Sequence, residues 1–191
     1  MNRTKRKIFE AAMELFAKQG YDGTSVDEIT SVVGIAKGTL YYHFSSKEEI
    51  YNFLIVEGMN LFKNSIEIQA AKHENAIDKL KAAILVQLRI MEKYESLITL
   101  IIGQMWGKDE RNVLCRQCID GYVEIIEGII NYGIERGEII TQDPKAVSSV
   151  IFGLTSSALL YKNRNQGKID ITKLYNEYSK FIVKNLKPNI S

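Results

Sequence analysis

Apolar residues recur at three- and four-residue spacing along nearly the whole chain, and strand-type alternation is almost absent, so the pattern predicts an all-α protein. Ile8, Ala12, Leu15 and Phe16 make one face of a first helix that ends near Lys18, with Gly20 as its C-terminal cap. Ser25-Val26-Asp27-Glu28 reads as a capping box: the serine hydroxyl accepts from the Glu28 amide while the Glu28 carboxylate reaches back to the Ser25 amide. A second short helix therefore starts at about Val26. Its face, Val26, Ile29, Val32 and Val33, stops at Gly34, and a third short helix carries Leu40 and Phe44 inward. Three short helices with a glycine-containing turn between the last two outline a helix-turn-helix.

Ser45-Ser46-Lys47-Glu48-Glu49 opens a fourth helix with two overlapping capping boxes, and Ile50, Phe53, Leu54, Leu61, Phe62 and Ile66 carry it to about Ala71. That is too long for the small head alone, which predicts a connector between an N-terminal helix-turn-helix domain, residues 1–46, and a larger helical domain, residues 47–191. Further helices are predicted at roughly 75–94, 96–106, 110–136, 144–163 and 171–187, about nine helices in all. The best punctuation lies before the eighth helix. Gly137 ends one helix, Asp143 caps the next, and Pro144, one of only two prolines, fits its first turn.

Composition narrows the classes. With 191 residues, 46% hydrophobic and 25% charged, the chain is an ordinary folded type, and its longest apolar stretch, around Leu97 to Trp106, falls far short of the roughly 20 residues that span a bilayer. The basic start leads into an amphipathic segment with Glu10 and Glu14, unlike a secretory signal, so the expected location is cytoplasmic, without a membrane. Net charge is only +2 and does not announce a nucleic-acid binder, but Arg3, Lys5, Arg6 and Lys7 place four cations at the start of the first helix. Two histidines, His43 and His73, and two cysteines offer no metal quartet and no nucleophile with its base. No enzyme, cofactor or metal is expected. Cys115 and Cys118 sit three apart within one helix, where a bridge would constrain little, and the βα setting of a thioredoxin-like site is absent.

The third helix carries the chemistry. A recognition helix needs an inner face that fixes its angle and an outer face of donors for phosphates and base edges. Leu40 and Phe44 supply the first, leaving Lys37, Gly38, Thr39, Tyr41, Tyr42 and His43 outside. Gly38 is a poor helix former, costing about 1 kcal/mol against Ala, and it makes sense where backbone must approach DNA closely. In the body, Gln87, Met91, Tyr94, Gln104, Met105, Trp106, Cys118 and Tyr122 lie on or beside apolar faces of the fifth to seventh helices and are candidates to line an effector cavity.

From Ile8 to Lys47 the sequence, with Leu15-Phe16-Ala17, Gly20-Tyr21, Gly23-Thr24-Ser25-Val26 and Gly34-Ile35-Ala36-Lys37-Gly38-Thr39-Leu40-Tyr41-Tyr42-His43-Phe44, resembles the DNA-binding domain of the TetR family of bacterial regulators. The resemblance covers about a quarter of the chain. It implies that Lys37, Gly38, Thr39, Tyr41 and His43 face the major groove, that Tyr42 and Lys47 hold phosphates, and that Ser25 caps the second helix where it meets the DNA backbone. It further implies a homodimer formed through the last two helices, bound to a palindromic operator with heads about 34–36 Å apart. A small hydrophobic or amphipathic effector among the middle helices would release a repressor of this kind. A departure from the family pattern is Ala36, where Ser or Thr is frequent, so the recognition helix lacks a side-chain cap. A competing reading, a co-activator or protein-interaction adaptor of the same fold without operator binding, is opposed by the intact Lys37 to Lys47 set.

Overall fold

Side chains in the first turns set where the helices start. Asn2, Ser25, Ser46, Asn75, Asp143 and Asp170 each accept a hydrogen bond from the amide three residues on, satisfying donors that a helix start otherwise leaves open. In the computed structural model, which describes residues 2–188, the described residues form nine helices and no strand. These are α1 (Arg3–Gly23), α2 (Val26–Val33), α3 (Lys37–His43), α4 (Lys47–Ala70), α5 (Ala76–Lys93), α6 (Glu95–Gln104), α7 (Glu110–Glu135), α8 (Pro144–Arg164) and α9 (Ile171–Leu186). The all-α fold is as the periodicity predicts.

Two glycines turn the head. Gly20, at φ 75° and ψ 174°, breaks α1 one turn before its end, and Gly34, left-handed at φ 72° and ψ 41°, closes α2. Both angles lie where a Cβ is penalised. The expected capping box at Ser25 is present, its carboxylate 2.7 Å from the Ser25 amide. At the start of α4 the two expected boxes merge into one: Ser46 accepts from the Glu49 amide, and Glu49 reaches back to the amide and hydroxyl of Ser45. One residue serves both serines, Glu49 through its carboxylate for Ser45 and through its amide for Ser46.

The chain divides into two units, Met1–Met59 with Ser96–Cys118 and Asn60–Glu95 with Ile119–Ser191. Residue 1 and residues 189–191, which the expected ranges 1–46 and 47–191 include, lie outside the described residues. In the first unit, α2 packs on α1 and α3, and Ile8, Phe16, Ile29, Leu40, Phe44, Ile50 and Leu54 are buried together with the whole of Tyr51. Each side chain of this size contributes roughly 1.5–3 kcal/mol on leaving water. Helix α6 ends at Gln104, two residues before the predicted end. Asn112 donates to the Gln104 carbonyl at 2.7 Å, and Arg116 donates to the carbonyls of Met105 and Gly107 at 3.1 and 2.6 Å. Side chains thus take over the carbonyls that further helix would have satisfied.

In the second unit α5 packs on α8 and α9 around Leu80, Ala83, Ile84, Leu88, Tyr122, Ile126, Ile130, Ile151 and Ile182. The Glu138 carboxylate accepts from the Ala76 amide at 2.6 Å and from Arg136 at 2.8 Å, capping α5 from the turn after α7. These bonds hold the Glu138 carboxyl below the usual range, the Arg136 bond first. The predicted punctuation is present: Gly137 is left-handed, Asp143 caps α8 and Pro144 opens it. Gly133 lies where this turn meets α5, and a Cβ there would stand 2.6 Å from Ala76 Cβ and 2.7 Å from Ile139 Cδ1. Gly133→Ala is therefore expected to destabilise the fold by about 1–3 kcal/mol, lowering the melting temperature by about 2–4 °C per kcal/mol in a chain of this size. An unchanged midpoint in calorimetry would show that the turn yields at no cost.

Candidate nucleic-acid interface and effector region

Helix α3 is held by its inner face because nothing caps its start. Ala36 is extended and offers no side-chain acceptor, so only its carbonyl serves the Thr39 and Leu40 amides, at 2.9 and 3.3 Å. Leu40 and Phe44 are buried, and Phe44 packs on Phe53, which meets Phe9 edge-on. The Lys5 ammonium lies 5.0 Å above Phe44 and 5.3 Å above Phe53, bringing the basic start of α1 beside the end of α3. Sequence reasoning saw Lys5 only as one of four cations; no local pattern tells which of them folds onto the aromatic pair.

The outer face of α3 presents Lys37, Gly38, Thr39, Tyr41 and Tyr42 to solvent, with His43 half-buried and its ring edge-on to Tyr42 at 5.1 Å. Tyr42 is 85% exposed, which leaves both its ring and its hydroxyl open to a partner. A Cβ at Gly38 would meet nothing within 4 Å, so folding does not require glycine there. Lys37 is not free: its ammonium sits 2.8 Å from the Asp27 carboxylate of α2, and the direct hydrogen bond raises its pKa from the ordinary value.

Two expected phosphate contacts are engaged within the head. The Ser25 hydroxyl both donates to Glu28 and accepts from the Glu28 amide. The Lys47 ammonium donates to the carbonyls of Tyr21 and Thr24, each at 2.8 Å, and lies 4.2 Å above the Tyr21 ring. The Arg111 guanidinium, from the first turn of α7, lies 4.1 Å over the same ring. Tyr21 stacks on Phe16 and meets Tyr51 edge-on, and the Tyr51 hydroxyl is 3.8 Å from the Cys115 sulfur. Burial pushes the Tyr21 hydroxyl up, with Glu48 adding to it, and burial pushes the Cys115 thiol up as well. A buried thiol of raised pKa is a poor nucleophile, which argues against a reactive role for Cys115. Arg111 was missed by sequence reasoning because its partner lies ninety positions away.

The effector candidates separate between the units. In the second, Tyr122 is fully buried, stacks on Phe62 at 5.1 Å, meets Phe152 at 5.8 Å and donates a short hydrogen bond to the Gln87 side-chain carbonyl. Met91 is buried in the same unit, whereas Tyr94 is the half-buried cap residue of α5 under the Lys93 ammonium. In the first unit Gln104 is spent on Asn112, and Met105 gives its carbonyl to Arg116. Cys118 is half-buried. Trp106, placed by the sequence beside an apolar face, is 82% exposed because α6 stops short of it. Among the described residues no group of three or more His, Cys, Asp or Glu is placed to hold a metal, and no helix is long and apolar enough to cross a membrane.

Comparison with known proteins accords with this geometry. The model of bacterial regulatory proteins of the tetR family matches residues 8–53, and that of the YsiA-like protein C-terminal region matches residues 55–185. A fatty acid metabolism regulator protein of Bacillus subtilis is 30% identical over 182 residues, covering 93% of this chain and 92% of that protein. A Clostridium perfringens protein described as a proposed fatty acid metabolism regulator has a solved structure with a TM-score of 0.88 and 33% identity, covering 96% of this chain and 100% of that one. The transcriptional regulator FadR from Bacillus subtilis, solved in complex with stearoyl-CoA, gives a TM-score of 0.81 at 28% identity, covering 93% and 97%.

The Asp27–Lys37 pair makes the α3 face testable. Asp27→Asn removes a negative charge beside that face and frees Lys37, so binding to duplex DNA is expected to tighten about two- to fivefold at low salt, the range an exposed pair of this kind represents. The dependence on salt should steepen too. Weaker binding in a fluorescence-anisotropy titration would mean that Asp27 orients Lys37 instead of holding it back.

Proposed function

This chain belongs to the tetR family of bacterial regulatory proteins, and on that premise we propose that it is a cytoplasmic repressor that binds a palindromic operator as a homodimer and releases it on binding a long-chain acyl-coenzyme A. Family and relatives are transcription regulators, not enzymes. The observation that carries the DNA-binding part is the divided face of α3, with Leu40 and Phe44 buried and Lys37, Gly38, Thr39, Tyr41 and Tyr42 outward.

In this reading Lys37, Gly38, Thr39, Tyr41 and His43 face the major groove and Tyr42 holds a phosphate. Ser25 contributes through the amides its cap aligns at the start of α2, and Lys47 through the α1 terminus it fixes. The working division into a DNA-binding head, 1–46, and an effector-binding and dimerisation body, 47–191, is supported by the matched ranges 8–53 and 55–185. Dimerisation is assigned to α8 and α9, where Val150, Leu160 and Phe181 are more than half exposed beside the small Gly153 and Ser157. A contiguous apolar surface with small residues suits an isologous contact.

The effector class is supported by the stearoyl-CoA complex of the B. subtilis relative and by the interior of the second unit. There the buried Tyr122–Gln87 pair packs on the rings of Phe62 and Phe152, apolar surroundings that suit an acyl chain.

Duplex DNA from upstream of the protein's own gene provides the assay. Wild type is expected to bind in a salt-sensitive manner. Gly38→Ala should bind at least about tenfold less tightly, because an added methyl obstructs backbone approach, while folding stability is unchanged or raised, Ala being the better helix former by up to about 1 kcal/mol. Stearoyl-CoA should release the DNA and raise the melting temperature, whereas coenzyme A alone should do neither. Equal binding by the Gly38 variant would remove that residue from the interface; release by coenzyme A alone would move recognition away from the acyl chain.

A further inference from the structure

The segment carrying α2 and α3, residues 25 to 46, leaves the end of α1 and returns at the start of α4. Its two ends are joined. Lys47, the first residue of α4, donates to the carbonyls of Tyr21 and Thr24, just before the segment begins. Thr24 adds its own bonds, hydroxyl to the Gly20 carbonyl at 2.8 Å and amide to the Tyr21 carbonyl at 3.3 Å. The position of α3 therefore depends on where the Tyr21 to Thr24 turn sits.

A third element of the same unit holds that turn. Arg111 lies over the Tyr21 ring at 4.1 Å with a carboxylate oxygen of Asp109 3.7 Å from its guanidinium, and Cys115, one helical turn further along α7, meets the Tyr51 hydroxyl. Residues 111 and 115 are four apart, so one face of α7 touches both tyrosines. The joint that presents Arg111 is itself rigidly made. Asn112 bridges the Gln104 carbonyl and the Asp109 amide, and a Cβ at Gly107 would fall 2.3 Å from the Asn112 oxygen. Arg116 closes the joint through two carbonyls. None of these groups lies on the outer face of α3.

We infer that Arg111 is a positioning residue for operator binding: through its stack on Tyr21 it fixes the turn from which α2 and α3 are hung, without touching DNA. This rests on the DNA-binding reading given above. A planar guanidinium on a ring face is a specific arrangement, and lysine retains only its charge.

The test uses the full-length protein. Operator affinity is measured across a salt series for wild type, Arg111→Ala, Arg111→Lys, Tyr21→Phe, Tyr21→Leu and the Arg111→Ala/Tyr21→Leu pair, and amide hydrogen exchange at Thr24 and Ser25 is followed without DNA. Arg111→Ala is expected to weaken binding about tenfold, equivalent to about 1.4 kcal/mol, with the salt slope unchanged, and to speed exchange at the turn. Arg111→Lys should recover part of the loss, and Tyr21→Phe should stay near wild type because the ring remains. The pair should bind no more weakly than Tyr21→Leu alone. Binding by Arg111→Ala within about twofold of wild type overturns the inference; so does a salt slope lower by about one, the mark of a lost phosphate contact, or additive losses in the pair. Should Tyr21→Leu fail to fold, the Ala, Lys and Phe variants still decide. Should wild type bind no DNA, the reading beneath falls, while unchanged exchange in Arg111→Ala independently overturns the placement of the turn.

Discussion

The head depends on a single ammonium. Lys47 closes residues 25 to 46 into a loop by taking the carbonyls of Tyr21 and Thr24, which lie where α1 ends and carbonyls run short of helical partners. An uncapped recognition helix of seven residues has little stability of its own. It keeps its angle because Leu40 and Phe44 are anchored in the core and because the chain on either side is tied at one point. Cation and carbonyls form a short, partly buried arrangement in which three requirements, charge, acceptors and ring face, are met at once.

The same economy appears in the second unit. A glutamate in the turn after α7 caps α5, and a tyrosine in the middle of α7 pairs with a glutamine of α5 inside an otherwise apolar lining. Both are polar groups satisfied across sequence separations of 62 and 35. Gln87 and Tyr122 are buried, and burying such groups is tolerable only when each finds its partner, so this pair fixes which faces of α5 and α7 meet.

Much of this was legible in the sequence, and the boundary of legibility has a physical reason. Caps at Ser25 and Asp143, Pro144 in the first turn of α8, positive-φ glycines at 20, 34 and 137, and the inward pair Leu40 and Phe44 are all set by residues within four positions of one another, so local chemistry reveals them. What stayed hidden depends on distant partners. The fate of Lys47 is decided by carbonyls 26 and 23 residues earlier, that of Arg111 by a ring ninety positions back, and the end of α6 by Asn112 and Arg116, which take carbonyls that apolar periodicity assigns to more helix. Asp27, visible in the sequence only as part of the capping-box run from Ser25, holds Lys37 ten positions on. Gln87 and Tyr122 meet as partners, whereas Trp106 leaves the group it was placed in.

That early end of α6 has a spectroscopic consequence. The chain contains one tryptophan, and it stands largely in water on the joint built by Asn112 and Arg116, five residues before Arg111. Its indole is solvated, whereas Phe16 and Tyr51 are buried and Tyr21 is half-buried against them. Tryptophan emission therefore comes from a single address on the joint, red-shifted and open to collisional quenchers, so any rearrangement that covers the joint would register as a blue shift without an added label.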